Sequence, residues 1–212
     1  MSKEESKRIV ESIYPDYDQR YGQNWGWCSL DKAGCIIDCI DEIFSTVDDP
    51  TCVEIGVFGG KSVIPTVLEL KRMKSGKLYA IDPWSNGEAT KGYEDANYDF
   101  WSKVDMDKIY NIFITLLEEN DCKEYVEIIR KPSDEAPHIF NIDFLYIDGQ
   151  HTDQAIRDAT KYATQVKLGG YCIADDIDWG EVSKVPSVLE SMGFERQRWI
   201  DGAIMFKRTH MQ

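Results

Sequence analysis

The segment VEIGVFGGKS (53–62) brings the carboxylate of Glu54, three glycines (Gly56, Gly59 and Gly60) and the hydroxyl of Ser62 into one short stretch. Glycines in such a run let backbone approach a ligand closely. Two phosphate-binding motifs are the first to test. Gly60-Lys61-Ser62 mimics the end of a P-loop, but that motif needs four residues between its first glycine and the Gly-Lys-Ser, and only three separate Gly56 from Gly60. The dinucleotide fingerprint GxGxxG requires glycine where Phe58 stands. Downstream, AIDPW offers Asp82 as an acceptor for the two hydroxyls of a ribose, or as a plain turn residue. Trp84 is placed to flank an adenine ring. Ser133 or Asp134, in KPSDE, is placed to meet its amino edge, although that polar run equally suits a helix start.

Residues spread from 54 to 134 converge only if secondary structure delivers them to one place. Residues 31–47 read as a helix, with Ile36, Ile37, Ile40, Ile43 and Phe44 on one face. After Asp48-Asp49-Pro50, TCVEIGV has the β-branched character of a buried parallel strand. Strands are then expected at 77–82, 124–129, 142–148 and 171–176, the last leaving a turn at Gly169–Gly170. Helices are expected at 62–71, 103–120, around 134–140, at 152–166 and near 182–192. FERQRWIDGAIMFKR ends the pattern as two strands about Asp201–Gly202. This alternation predicts a doubly wound α/β fold: a mostly parallel seven-stranded sheet, helices on both faces and a C-terminal antiparallel hairpin. In such sheets ligands lie beyond the carboxyl ends of the strands, where every residue singled out above falls.

VEIGVFGGKS, YAIDPW, FLYIDGQHT and KLGGYCIADD, taken in order, resemble the class I S-adenosylmethionine-dependent methyltransferases. The similarity is greatest to the metal-dependent small-molecule O-methyltransferases that act on catechols and macrolide sugars, and it covers roughly residues 51–176. It implies S-adenosylmethionine as cofactor, with Glu54, Gly56, Gly59, Gly60, Ser62, Asp82, Trp84, Ser133, Asp134 and Asp148 around it. A carboxylate near the glycine loop suits a ligand carrying an ammonium and a sulfonium. The resemblance also implies a divalent cation, Mg²⁺, on Asp148, Asp175 and Asp176. Electrostatics adds a reason: two charges about 4 Å apart repel by about 1 kcal/mol in water and about 4 at an effective dielectric near 20. Such a cluster must hold a cation, take up protons or gain basic neighbours. As an alternative, these aspartates cap the helices that follow.

Sugar-directed relatives often carry a further acid where this chain has Gln150, which accepts no proton at neutral pH. His151 matches the catalytic lysine of the catechol enzymes, and an imidazole suits removal of a hydroxyl proton; it could equally just orient the loop. Catalysis is thus assigned to His151 and to Asp148, which holds the acceptor through the cation.

One domain, 1–212, is expected: an N-terminal helical extension (1–49) with a substrate loop at 21–29, then a core (50–212) with a lid insertion at 85–104. Both loops are aromatic-rich and could instead form a satellite cluster or a homodimer contact. The formal charge of −14 argues against nucleic-acid partners. No apolar run suits a membrane span, and the charged N-terminus lacks a secretory signal, so a cytoplasmic protein is expected. Six cysteines without a CxxC pair are expected to be buried thiols; Cys35 and Cys39 share a helical face but have no neighbouring His with which to hold a metal. The expected acceptor is a hydroxyl of a sugar, polyol or phenol. An NAD-type oxidoreductase and a non-catalytic methyltransferase-like binding protein are the competing readings.

Overall fold

A computed structural model describes residues 2–22 and 25–210. Helix α1 (Lys3–Tyr21) opens on a capping box, Ser2 with Glu5, and α2 (Leu30–Phe44) opens on Ser29, whose hydroxyl accepts the Lys32 N–H. Gln23 and Asn24, part of the expected substrate loop, lie outside the described residues. Strands β1 (Thr51–Ile55), β2 (Lys77–Ile81), β3 (Val126–Ile129), β4 (Ile142–Ile147) and β5 (Val166–Ala174) run parallel. β6 (Phe194–Ile200) and β7 (Ala203–Arg208) form the expected hairpin, and β7 pairs antiparallel with β5. The order is β3-β2-β1-β4-β5-β7-β6, so the direction of winding reverses between β1 and β4.

Helices α3 (Val63–Met73) and α6 (Met106–Glu119) join α1 and α2 on one face, burying Ile36, Ile37, Ile40, Val67, Phe113 and Leu116. Helices α7 (Gln154–Ala163) and α8 (Val185–Ser191) cover the other face, over Val53, Leu145 and Cys172. All six cysteines are free and buried. The insertion at 85–104 holds two short helices, α4 (Asn86–Ala89) and α5 (Ala96–Trp101), with no fully buried residue in either.

Two expectations are corrected. No helix forms around 134–140: the Lys161 ammonium donates to the carbonyls of Ser133 (2.6 Å), Asp134 (3.2 Å) and Ala136 (2.8 Å), and Pro137 cannot donate a backbone bond. β5 begins at Val166, ahead of the glycine pair. Gly169–Gly170 makes a bulge against Ile142–Phe144 instead of a turn, Gly169 taking φ +85°.

Candidate active site at the carboxyl edge of the sheet

The strand registers fix the site. Ile55 lies opposite Ile81 and Ile147, and Ile147 opposite Ala174. The ladder extends one residue further: Gly56 N–H donates to Ile81 O, Asp82 to Ile129 O, Asp148 to Ile55 O and Asp175 to Ile147 O. Gly56, Asp82, Asp148 and Asp175 therefore stand in one row along the carboxyl edge. Period-two alternation turns Glu54 and Tyr146 toward the α1–α2–α3 face.

Glu54 is buried; Ser62 Oγ donates to its Oε1 at 2.5 Å, while its Oε2 has no protein partner. Burial pushes its carboxyl up to about 8; the Ser62 bond opposes this, and the charges of Asp175 and Asp82 add to it. Asp82 accepts the N–H of Phe58 (2.9 Å) on one oxygen and that of Trp84 (2.7 Å) on the other. It pins two non-glycine residues in the left-handed region, Phe58 at φ +50° and Trp84 at +43°. Burial raises the Asp82 carboxyl despite these donors.

The three glycines meet protein where a ligand was expected. A Cβ on Gly56 would stand 1.8 Å from Asp148 O, on Gly59 1.9 Å from Trp25 O, and on Gly60 2.5 Å from the Phe113 ring. The N-terminal segment thus lies across the loop. Trp84, expected beside an adenine, is buried: its ring stacks on Phe113 (5.5 Å, 18°) and its Nε1 donates to Phe58 O.

The three aspartates do not form one ligand set. Asp175 is buried and fully engaged, its Oδ1 accepting Lys32 Nζ (2.5 Å) and the Asp176 N–H (2.9 Å), its Oδ2 the Tyr146 hydroxyl (2.5 Å). Burial, then the charges of Asp175 and Asp176, drive the Asp148 carboxyl well above the carboxylate range. Asp176, at φ +52°, lies 3.0 Å from His151 Nε2, and the imidazole packs on Trp179. Burial alone would raise Asp176, but the bond and charge of His151 and the charge of Lys32 outweigh it and hold the carboxyl below its ordinary value. Asp148, His151 and Asp176 each bring a donor atom within 4.8 Å of the other two. A set containing imidazole is less characteristic of Mg²⁺ than three carboxylates.

Gln150 ties the β4 loop to the insertion, its amide donating to Glu88 O (2.5 Å) and Lys91 O (3.2 Å), while the His151 N–H reaches Tyr93 Oη (2.9 Å). Ser133 and Asp134 come together with Gln154, whose amide lies 3.1 and 2.9 Å from them and 2.8 Å from Asp158. A cavity of about 310 Å³ opens beside Trp27, Ser29, Lys32 and Lys61. Another, of about 550 Å³, lies past Asp82 between Trp84, Asn86, Met106 and Arg130. Trp27, 53% exposed, stacks on Phe58 (5.4 Å, 14°), and Trp101 meets Phe58 edge-on (5.6 Å). Lys32, Tyr146 and Gln154 are absent from the expected site. Lys32 left one trace, the single basic residue of a helix whose other side chains are apolar or acidic; Tyr146, inside a buried strand, left none.

A family model described as a methyltransferase domain matches residues 53–177. A search of curated protein sequences finds no match. Among solved structures, the O-methyltransferase NovP superposes with TM-score 0.66 at 16% identity, over 86% of this chain and 81% of its own. A protein of Klebsiella pneumoniae provisionally assigned as an O-methyltransferase gives 0.64 at 13% identity, over 95% and 90% of the two chains. An rRNA methylase of Streptococcus thermophilus gives 0.54 at 12% identity, over 82% and 93%. At these identities the likenesses speak for the fold.

Proposed function

From the premise that this chain belongs to the methyltransferase domain family, we propose that it transfers the methyl group of S-adenosylmethionine to a hydroxyl of a small molecule. The observation that carries the cofactor reading is the set of buried and half-buried carboxyls at this edge, in which Glu54 Oε2 has no donor. Glu54, Asp82 and Asp148 all have raised carboxyls, and Glu54 Oε2 is a buried acceptor without a donor. An ammonium and a sulfonium are the charges such an edge stabilises, and a pyrophosphate is not. Glu54 would receive the ammonium, and Asp82 keeps acceptor capacity for ribose hydroxyls beside its two backbone donors. The Ser133–Gln154 cluster would serve the adenine edge. When bound, the cofactor supplies an electrophilic methyl on a good leaving group.

His151 is the proposed proton acceptor. Asp176 holds the imidazole by one nitrogen and stabilises the imidazolium that proton removal would create. The exposed Trp27–Phe58 stack gives an acceptor ring, sugar or phenol, an apolar surface near this edge. The magnesium expected on three aspartates enters no step, because both oxygens of Asp175 already accept hydrogen bonds from the protein, one of them from the Lys32 ammonium.

Calorimetric titration with S-adenosylhomocysteine tests the reading. Binding in the micromolar class is expected, and Asp82→Asn, which spares the fold better than alanine, should weaken it roughly tenfold or more. Absence of binding, or binding of NAD alone, would overturn it. With an acceptor found by screening sugars and phenols, His151→Gln should lower kcat by about 10²–10⁴ while leaving S-adenosylhomocysteine affinity unchanged.

A further inference from the structure

We propose that Lys32 is the resident cation of the acidic edge, locked onto Asp175 so that this aspartate is withheld from any metal ion. The inference concerns the site described above, but it is read by cation binding and can fail while the methyl-transfer reading stands.

Four observations carry it. Lys32 Nζ lies 2.5 Å from Asp175 Oδ1, with both side chains almost wholly removed from solvent. Asp175 also accepts the Tyr146 hydroxyl and the Asp176 N–H, so both its oxygens are occupied without a metal. Lys32 sits in the first turn of α2, where the helix dipole disfavours a positive charge, so an anion must hold it there. Finally, the helix start is tied to the hairpin at the edge of the sheet: Ser29 caps the Lys32 N–H and donates to Asp201 in the β6–β7 turn at 2.6 Å. The ammonium is thereby carried on two rigid elements.

The consequence is a site whose charge is set by the chain. With Lys32 in place, the group that could hold a cation among the described residues is Asp148, Asp176 and His151, beside a positive charge that repels it. Removing that charge should free Asp175 and strengthen divalent-cation binding. A purely structural ion pair predicts the opposite, because its loss only loosens the site.

The test is a Mn²⁺ titration, by calorimetry and by loss of the free-ion electron paramagnetic resonance signal, of the full chain and two variants. Lys32→Met should bind Mn²⁺ at least about tenfold more tightly than wild type. The double variant Lys32→Met/Asp175→Asn, which replaces the ion pair by a neutral pair of similar volume, should return to within about threefold of wild type. Three results overturn the proposal: Lys32→Met binding no more tightly than wild type; the double variant losing roughly tenfold or more, which would make Asp175 a ligand; or no Mn²⁺ binding at millimolar concentration by any of the proteins. Should Lys32→Met fail to fold, Lys32→Gln, which removes the charge but keeps a hydrogen-bond donor for Asp175, is titrated in its place with the same expected and overturning results.

Discussion

Glu54 shows how one buried side chain couples pH, ligand and stability. Its carboxyl titrates near 8 in the folded protein and at roughly 4.3 when unfolded. Between those values the folded chain holds a proton that the unfolded chain releases. The stability it contributes is therefore fully present below the unfolded value and is lost as pH rises through about 8. Asp158, pushed up to about 6 chiefly by burial, and Asp148, also raised, act in the same direction. Urea unfolding of the ligand-free protein should therefore give a free energy that declines from pH 5 to pH 8. Glu54→Gln should make that decline shallower. A ligand ammonium would replace the lost proton, so S-adenosylhomocysteine should stabilise the protein more at pH 8 than at pH 5. A slope unchanged by Glu54→Gln would show that other groups set it.

The glycine loop and the insertion are constrained in opposite ways. The loop is pressed between β4, α6 and the segment at 25–29, so the backbone has no room for a side chain. Gly59→Ala, forced against Trp25 O, should cost about 1–3 kcal/mol of stability, seen as a lowered Tm. An unchanged Tm would mean that the N-terminal segment moves aside freely. The insertion is fixed to the β4 loop mainly through Gln150 and Tyr93, and elsewhere is partly exposed. Few buried contacts imply low local stability. Amides at 85–104 should exchange faster than those of β1 and β4, and slow when S-adenosylhomocysteine binds. Gln150→Ala should speed exchange at 88–93 by roughly tenfold without touching β4. Protection at 85–104 equal to that of the central strands would make the insertion part of the core.

At the scale of the molecule, charge bears on the choice of partner where fold does not. The sheet superposes on that of an rRNA methylase, but the chain carries 24 basic against 38 acidic side chains. Nucleic-acid binding draws on neutralised phosphates, and a net −14 opposes it. We expect no retardation of an rRNA fragment in a mobility shift assay at about 0.1 M salt; a saturable shift would reopen the choice of acceptor. No helix among the described residues is long and apolar enough to cross a membrane.

Most of the sheet was legible in the sequence, because its signals are local. β-branched runs, amphipathic helices and Asp201–Gly202 each act within a few residues, and one register carries Gly56, Asp82, Asp148 and Asp175 to a common edge. The sequence also marked Glu54, His151 and Asp176 as residues of that edge. How the charges divide was not legible there, because it depends on contacts between distant segments. Lys32 meets Asp175 across 143 residues of chain, and that contact changes a three-aspartate set into an ion pair beside an Asp–His pair. The same holds for Lys161, whose ammonium takes the carbonyls that a helix after Ser133 would need. A long flexible cation can reach any of several anions, and packing alone selects which.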